Sequence, residues 1–183
     1  GELQIKLTSS WKNLHNGGDV NDPASQAIGD TYQGGIIFYL DGNGGGLIAA
    51  EYDQSYGIQW YNGSYVTTGA TGTDVGTGSA NTDAIILAQG ATETSYAAGL
   101  ARACTDRTYT DWFLPSKDEL DLMYSNIGQG SSTDNIGNFA DETYWSSTED
   151  VYQDQAYAQD FYNGFQHTFT RYYTMNVRAV RAF

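Results

Sequence analysis

The chain has 183 residues, with 22 acids against 8 bases and a net charge of −14; at ~150 residues per domain that length is one domain's worth. The charge argues against nucleic acid and anionic membrane as partners, because both demand a positive face. With 40% hydrophobic and 14% aromatic residues the chain can bury a full core and is not a disordered tail.

Residues 1–26 are polar and aperiodic, with turn chemistry at Gly17-Gly18-Asp19 and Asn21-Asp22-Pro23. They read as a connector, with a short strand at Leu3–Leu7, ahead of a single domain over 27–183. Asp19, Asn21 and Asp22 offer the hard oxygens that calcium takes, but a solvated turn explains them more simply. The chain opens at Gly1 rather than Met, as a processed or trimmed product would. Gly34-Gly35 then leads into Ile36–Leu40, and Asp41–Gly46 returns the chain through Leu47–Ala50, a β-hairpin pattern. Ile36–Leu40 is the longest apolar run and only of strand length, so no membrane insertion is expected. The Gly-rich turn lacks the Lys-Ser/Thr and the following helix of a phosphate loop. Residues 52–80, rich in Gly, Thr, Tyr and Ser, read as loops with short strands.

Helical spacing follows. Asn81 is placed as the N-cap of a helix over Thr82–Gln89 with Gly90 as its stop. Ser95 opens Tyr96–Cys104, where Ala97, Leu100, Ala101 and Cys104 share one face. Cys104, the single Cys, therefore packs as a small apolar residue, and its solitude excludes an intramolecular disulfide or a multi-cysteine metal site. Ser116–Ile127 is the second clear helix, with Ser116 and Glu119 as a capping box, a buried face of Leu120, Met123, Tyr124 and Ile127, and Gly128 as its end. Strands are expected at Thr143–Ser147, Ala156–Phe161 and Phe165–Thr170, the last two joined by an Asn163-Gly164 turn, and a closing strand at Val177–Phe183. Residues 118–170 hold ten acids and no Lys or Arg. Arg171, Arg178 and Arg181 are expected to pair with some of those carboxylates.

Three phrases stand in order: Gly34-Gly35-Ile36-Ile37-Phe38-Tyr39, Asp111-Trp112-Phe113-Leu114-Pro115-Ser116-Lys117-Asp118-Glu119-Leu120 and Tyr144-Trp145-Ser146-Ser147-Thr148-Glu149. The chain closes on Val177-Arg178-Ala179-Val180-Arg181. From about Ala27 to Phe183 this set resembles the bacterial family typified by the C-terminal domain of the Lcl collagen-like adhesin. The resemblance implies an α+β, C-type-lectin-like fold: an antiparallel sheet with two helices and long Gly-rich loops, its termini brought close by the first and last strands. It also implies a non-catalytic surface module for adhesion or ligand binding, and a possible homo-oligomer. The named adhesin domain is a trimer that binds sulfated glycans; a charge of −14 departs from that ligand.

In such folds the C-terminal half presents the ligand surface. Tyr152, Gln153, Asp154, Tyr162, Asn163, His167, Tyr172 and Tyr173 are the expected ligand-binding residues, with Tyr157 and Phe165 nearby. Tyr offers area at low entropy cost plus a hydroxyl, and Asp, Asn and Gln supply polar contacts to a sugar or a protein loop. Period two predicts that about half of the strand aromatics face inward. The ligand is expected on a host or neighbouring cell, and the location is extracellular or cell surface (or virion surface). Calcium is an optional cofactor through Glu149, Asp150 and Asp154. Asp150–Asn176 also has the composition of lectin-like proteins diversified by retroelements, one alternative; a structural or oligomerising fibre tip is another. An enzyme is not expected: His15 and His167 lack a nucleophile elbow, and carboxylate pairs are cheap among 22 acids.

Overall fold

The computed structural model describes residues 26–90, 94–105 and 109–183. The predicted connector strand and the Asp19, Asn21 and Asp22 group lie outside the described residues. Strands β1 (Thr31–Tyr32), β2 (Gly35–Leu40), β3 (Gly46–Ala50) and β4 (Ser55–Gln59) come first. Helices α1 (Gly78–Gln89), α2 (Ala97–Arg102) and α3 (Lys117–Ile127) occupy the middle. Strands β5 (Thr143–Glu149), β6 (Gln155–Asp160), β7 (Gln166–Thr170), β8 (Thr174–Val177) and β9 (Val180–Ala182) complete the chain.

The strands form two sheets, ordered β1-β2-β3-β9 and β4-β8-β5-β6-β7. The expectation of one antiparallel sheet and two helices is corrected to two sheets and three helices among the described residues. One pairing, β5 with β8, is parallel. The predicted β2–β3 and β6–β7 hairpins both form. Gly164 turns the second at φ +80°, and a Cβ there would meet the Tyr124 ring at 2.5 Å, so only glycine fits.

Alternate residues of the same strands serve two apolar clusters. Ile37, Ile48 and Trp145 join Trp60, Ile85, Tyr96 and Trp112 in one. Phe38, Leu47 and Tyr144 join Leu120, Met123 and Ile127 of α3 in the other. Burial on both faces explains why β2 and β3 read as continuous apolar runs rather than alternating ones.

The predicted closing strand is broken in two. Val177 pairs in the five-stranded sheet and Val180 in the four-stranded one, so the chain changes sheets at Arg178-Ala179. Arg178 explains the break. Its guanidinium bonds Asp53 at 2.6 Å and the Ala50 and Gly137 carbonyls at 3.0 and 2.9 Å, and it stacks 4.3 Å over Phe139. Arg181 follows the same plan with Asp111 at 2.5 Å, Gln33 and the Tyr109 ring. Neither partner carboxylate belongs to the acidic stretch 118–170; the expected pairing with that stretch holds for Arg171, which meets Glu149, and is corrected for Arg178 and Arg181.

Asn81 is not the cap of α1. The helix begins four residues earlier behind Thr77, and Asn81 instead clasps the Gly72 backbone, donating to its carbonyl at 2.7 Å and accepting from its amide at 3.1 Å. A Cβ at Gly78 would lie 2.2 Å from Glu119 Oε2, so glycine is required where α1 meets that carboxylate. The capping box on α3 forms as predicted. Glu119 is fully buried and accepts from the amides of Ser116 at 2.7 Å and Gly76 at 2.8 Å. Burial pushes its carboxyl above the usual range, against the opposing pull of those amides. Cys104 packs half-buried against the first cluster, as expected.

Glu119 thus ties α3 to the start of α1. Glu119→Ala strands two buried amides and is expected to cost ~2–3 kcal/mol, against ~1 kcal/mol for Ser116→Ala, both read from urea unfolding midpoints.

Candidate functional site

The end of the five-stranded sheet is held by one buried cation. Arg171 follows β7 and is fully buried. It donates to Glu149 Oε1 at 2.5 Å, to the Val66 carbonyl at 2.9 Å and to the Gln155 carbonyl at 3.3 Å. Its guanidinium lies 4.3 Å over the Trp60 ring. The other oxygen of Glu149 accepts from Thr68 N, Thr68 Oγ1 and Gly69 N at 2.8, 2.6 and 2.8 Å. Burial works to raise the Glu149 carboxyl, but the Thr68 and Arg171 contacts outweigh it and hold it below the usual carboxylate range. Glu149 is therefore a structural anion, not a calcium ligand. Asp150 caps the Val151 amide, and among the described residues no three metal-ligating side chains converge. The expected Glu149, Asp150 and Asp154 calcium group does not assemble.

This ion pair pins loop 60–70 against the turns at 150–154 and 171–173. Trp60 N donates to the Arg171 carbonyl, Arg171 N to the Asp154 carbonyl, and Gln153 Nε2 to the Tyr65 carbonyl. Four tyrosines are gathered there as two stacked pairs. Tyr61 and Tyr65 have ring centroids 4.7 Å apart, and Tyr172 and Tyr173 4.6 Å apart. Tyr65 is held above its ordinary pKa, first by desolvation, then by Tyr61 and by the charge of Asp154. Tyr172 is raised by its neighbour Tyr173.

From this cluster an aromatic ladder runs along the edge strand β7. Tyr173, Phe169, His167 and Phe165 follow one another at centroid spacings of 6.4, 6.4 and 6.0 Å. Register explains it, because His167 and Phe169 stand opposite Ala158 and Ala156 on one face of the sheet. The intervening Gln166 turns the other way, toward the start of α3, where its amide donates to the Lys117 carbonyl.

Beside the ladder is a cleft of about 420 Å³, lined by Tyr56, Glu142, Phe169, Tyr173, Met175 and Asn176 among others. Asn176 is buried in its lining with its side-chain amide beside the Tyr144 hydroxyl, and among the described residues its Nδ2 finds no acceptor at good hydrogen-bond geometry. Tyr144 itself donates to Asp53 at 2.8 Å. Burial first, opposed by Asn176 and abetted by the Asp53 charge, pushes its hydroxyl up to about 12. A second cleft of about 250 Å³ on the far side of Tyr56 opens over the Arg178–Asp53 pair.

The eight predicted residues are all on the surface but not all together. Tyr152, Gln153, Asp154, Tyr172 and Tyr173 share the Arg171 end, and His167 lies midway along the ladder. Tyr162 and Asn163 sit at the opposite turn, where Asn163 braces Asp160 and the Phe165 amide. Of the nearby residues, Phe165 is exposed at the ladder's end. Tyr157 is half-buried on the other face, under the Lys117 ammonium. Sequence reasoning missed Tyr56, Tyr61, Tyr65, Glu142 and Phe169. Isolated tyrosines in the Gly/Ser/Thr-rich stretch 52–80 were the available signal. His167 bonds no serine or carboxylate among the described residues, and His15 lies outside them.

The site is thus an aromatic ledge and cleft on a mixed α/β domain of two sheets. The Lcl C-terminal domain family matches residues 50–181, and the chain belongs to that family. It is a family of non-enzymatic, adhesin-type surface domains. No curated protein matches the chain. Among the described residues no helix is long and apolar enough to cross a membrane. The Gly34–Tyr39 phrase lies before the matched span, whereas the other motif residues lie inside it. Asp111, Ser116, Glu119, Glu149, Arg178 and Arg181 prove to be the ion pairs and the cap described above, so the motif marks the scaffold.

Arg171→Ala leaves Glu149 buried and uncompensated, and should cost ~3–5 kcal/mol in chemical unfolding. Because the Glu149 carboxyl is depressed in the folded state, its stabilisation is complete above the usual carboxylate range and is lost as pH falls through the folded value. Unfolding midpoints of the Glu149→Gln/Arg171→Met double variant should therefore fall less steeply with acid than those of the unaltered protein.

Proposed function

We propose that this domain is a non-catalytic adhesion module of a bacterial or phage surface protein, with a C-type-lectin-like fold, that binds carbohydrate on a host or neighbouring cell. The observation that carries this reading is the ladder Phe165–His167–Phe169–Tyr173–Tyr172 running beside a cleft lined by Tyr56, Glu142 and Asn176. Aromatic faces stack on the C–H faces of sugar rings, and a few polar side chains in a cleft orient a ligand's hydroxyls. Tyr56, at 78% exposure, and Tyr173, at 47%, flank the opening and present their rings without prior rearrangement. Family membership supports the surface role. Binding through this ledge needs no calcium, because the acids suggested for it are engaged or apart.

A glycan array probed with the purified chain, with and without a chelator, tests this. Binding to at least one glycan class that survives chelation is expected. Tyr173→Ala should weaken it about tenfold, the equivalent of ~1.4 kcal/mol, with an unchanged melting temperature and oligomeric state. Absence of binding to every glycan in both conditions overturns the carbohydrate reading in favour of a protein ligand. Loss of assembly in the Tyr173→Ala variant supports a structural, oligomerising domain instead.

A further inference from the structure

The charge class of the ligand follows from where the cations went. Five basic side chains are described, and every one is paired with a carboxylate: Arg102 with Asp83, Lys117 with Asp118, Arg171 with Glu149, Arg178 with Asp53 and Arg181 with Asp111. The three C-terminal arginines are also buried. No unpaired lysine or arginine therefore stands beside the aromatic ledge among the described residues. The ledge does have free anions. At the tyrosine end Asp154 is exposed, and its carboxylate makes no hydrogen bond or ion pair among the described residues, while its charge is felt at Tyr65. In the cleft Glu142 is exposed with its carboxylate likewise unengaged, only its main-chain carbonyl accepting from Phe161.

Tyr65, Tyr172 and Tyr173, with the buried Tyr61 packed behind Tyr65, around one uncompensated carboxylate make a surface that favours an ammonium group. Ring faces attract a cation through their quadrupole, and the carboxylate adds charge and an acceptor for N–H donors. The buried Arg171 beneath does not cancel this, because Glu149 neutralises it at 2.5 Å. A sulfate or uronate at the same place would meet Asp154, Glu142 and a net charge of −14, with no unpaired lysine or arginine among the described residues to offset them.

We infer that the site selects a glycan carrying free amino groups, with an amine seated among Tyr65, Tyr172 and Asp154 and neighbouring sugar rings laid along Tyr173 and Phe169. This rests on the carbohydrate reading above and assigns it a substrate class.

The test compares three oligosaccharides of one length by calorimetry at neutral pH, where an ordinary imidazole is mostly uncharged and a substantial share of a sugar amine still carries its proton: a glucosamine oligomer, its fully N-acetylated counterpart and an N-sulfated counterpart. The free amine is expected to bind on the order of tenfold more tightly than the acetylated form. Its affinity should fall with added salt, and the sulfated form should not bind. Asp154→Asn should abolish the preference for the amine while leaving the acetylated form's affinity unchanged. This exposed side chain supports no described hydrogen bond, so the fold should survive, as circular dichroism would check. Equal binding of amine and acetylated forms, tighter binding of the sulfated one, or a preference that persists in Asp154→Asn would each overturn the inference and leave the carbohydrate reading standing. No binding of any of the three, with hits elsewhere on the glycan array, also overturns the inference alone. An array empty of hits overturns both.

Discussion

The buried Arg171–Glu149 pair is the constraint on which the surface of this domain depends. Taking both charges out of water is costly, and only a closed set of partners offsets it. Here the set is complete: two carbonyls and the Trp60 face for the guanidinium, two amides and a hydroxyl for the carboxylate. Those partners come from loop 60–70, from β5 and β6, and from the turn after β7. Satisfying one ion pair therefore fixes the mutual position of three irregular segments that lack secondary structure of their own to hold them. Apart from Tyr56 on β4, the tyrosines of the candidate site are carried on those segments.

The same device recurs at Arg178 and Arg181, each with one carboxylate, one aromatic ring and further oxygen acceptors. Arginine suits it because a planar guanidinium can stack on a ring and donate in several directions at once, which an ammonium cannot. Arg178 stands where the chain passes from one sheet to the other and Arg181 in the strand that follows, so the pairs lock the crossover and β9 as well as the loops. Consuming arginines in this way has a surface consequence. The charge of the described lysines and arginines is neutralised locally, the remaining described acids other than the buried Glu119 lie exposed or half-buried, and the aromatic ledge lies in a negative field. Scaffold chemistry and ligand preference are thereby linked.

Much of the architecture was legible in the chain. The β2–β3 and β6–β7 hairpins, the capping box on α3 and the glycine stops of α1 and α3 rest on contacts within a few residues, and local contacts are written in local sequence. Errors arose where a distant residue decided. Asn81 looks like a helix cap because its side chain suits one, yet Gly72 claims it and the helix starts earlier. Val177–Phe183 looks like one strand, yet the needs of Arg178 break it. Glu149 looks like a surface acid in an acidic stretch, yet Arg171 and Thr68 enclose it.

The sequence alone determined the family, the net negative charge, the richness of the C-terminal half in exposed tyrosine, and the absence of a second cysteine, because these are properties of composition and of short contiguous motifs. Tertiary structure alone decided which acids are structural and which are free. It also decided that Tyr56, Tyr61 and Tyr65 join Tyr172 and Tyr173 across more than a hundred residues of chain. The reason is physical: a carboxylate's role is set by what lies within hydrogen-bond reach of it, and for Glu149, Asp53 and Asp111 that neighbour is an arginine supplied by a distant part of the chain.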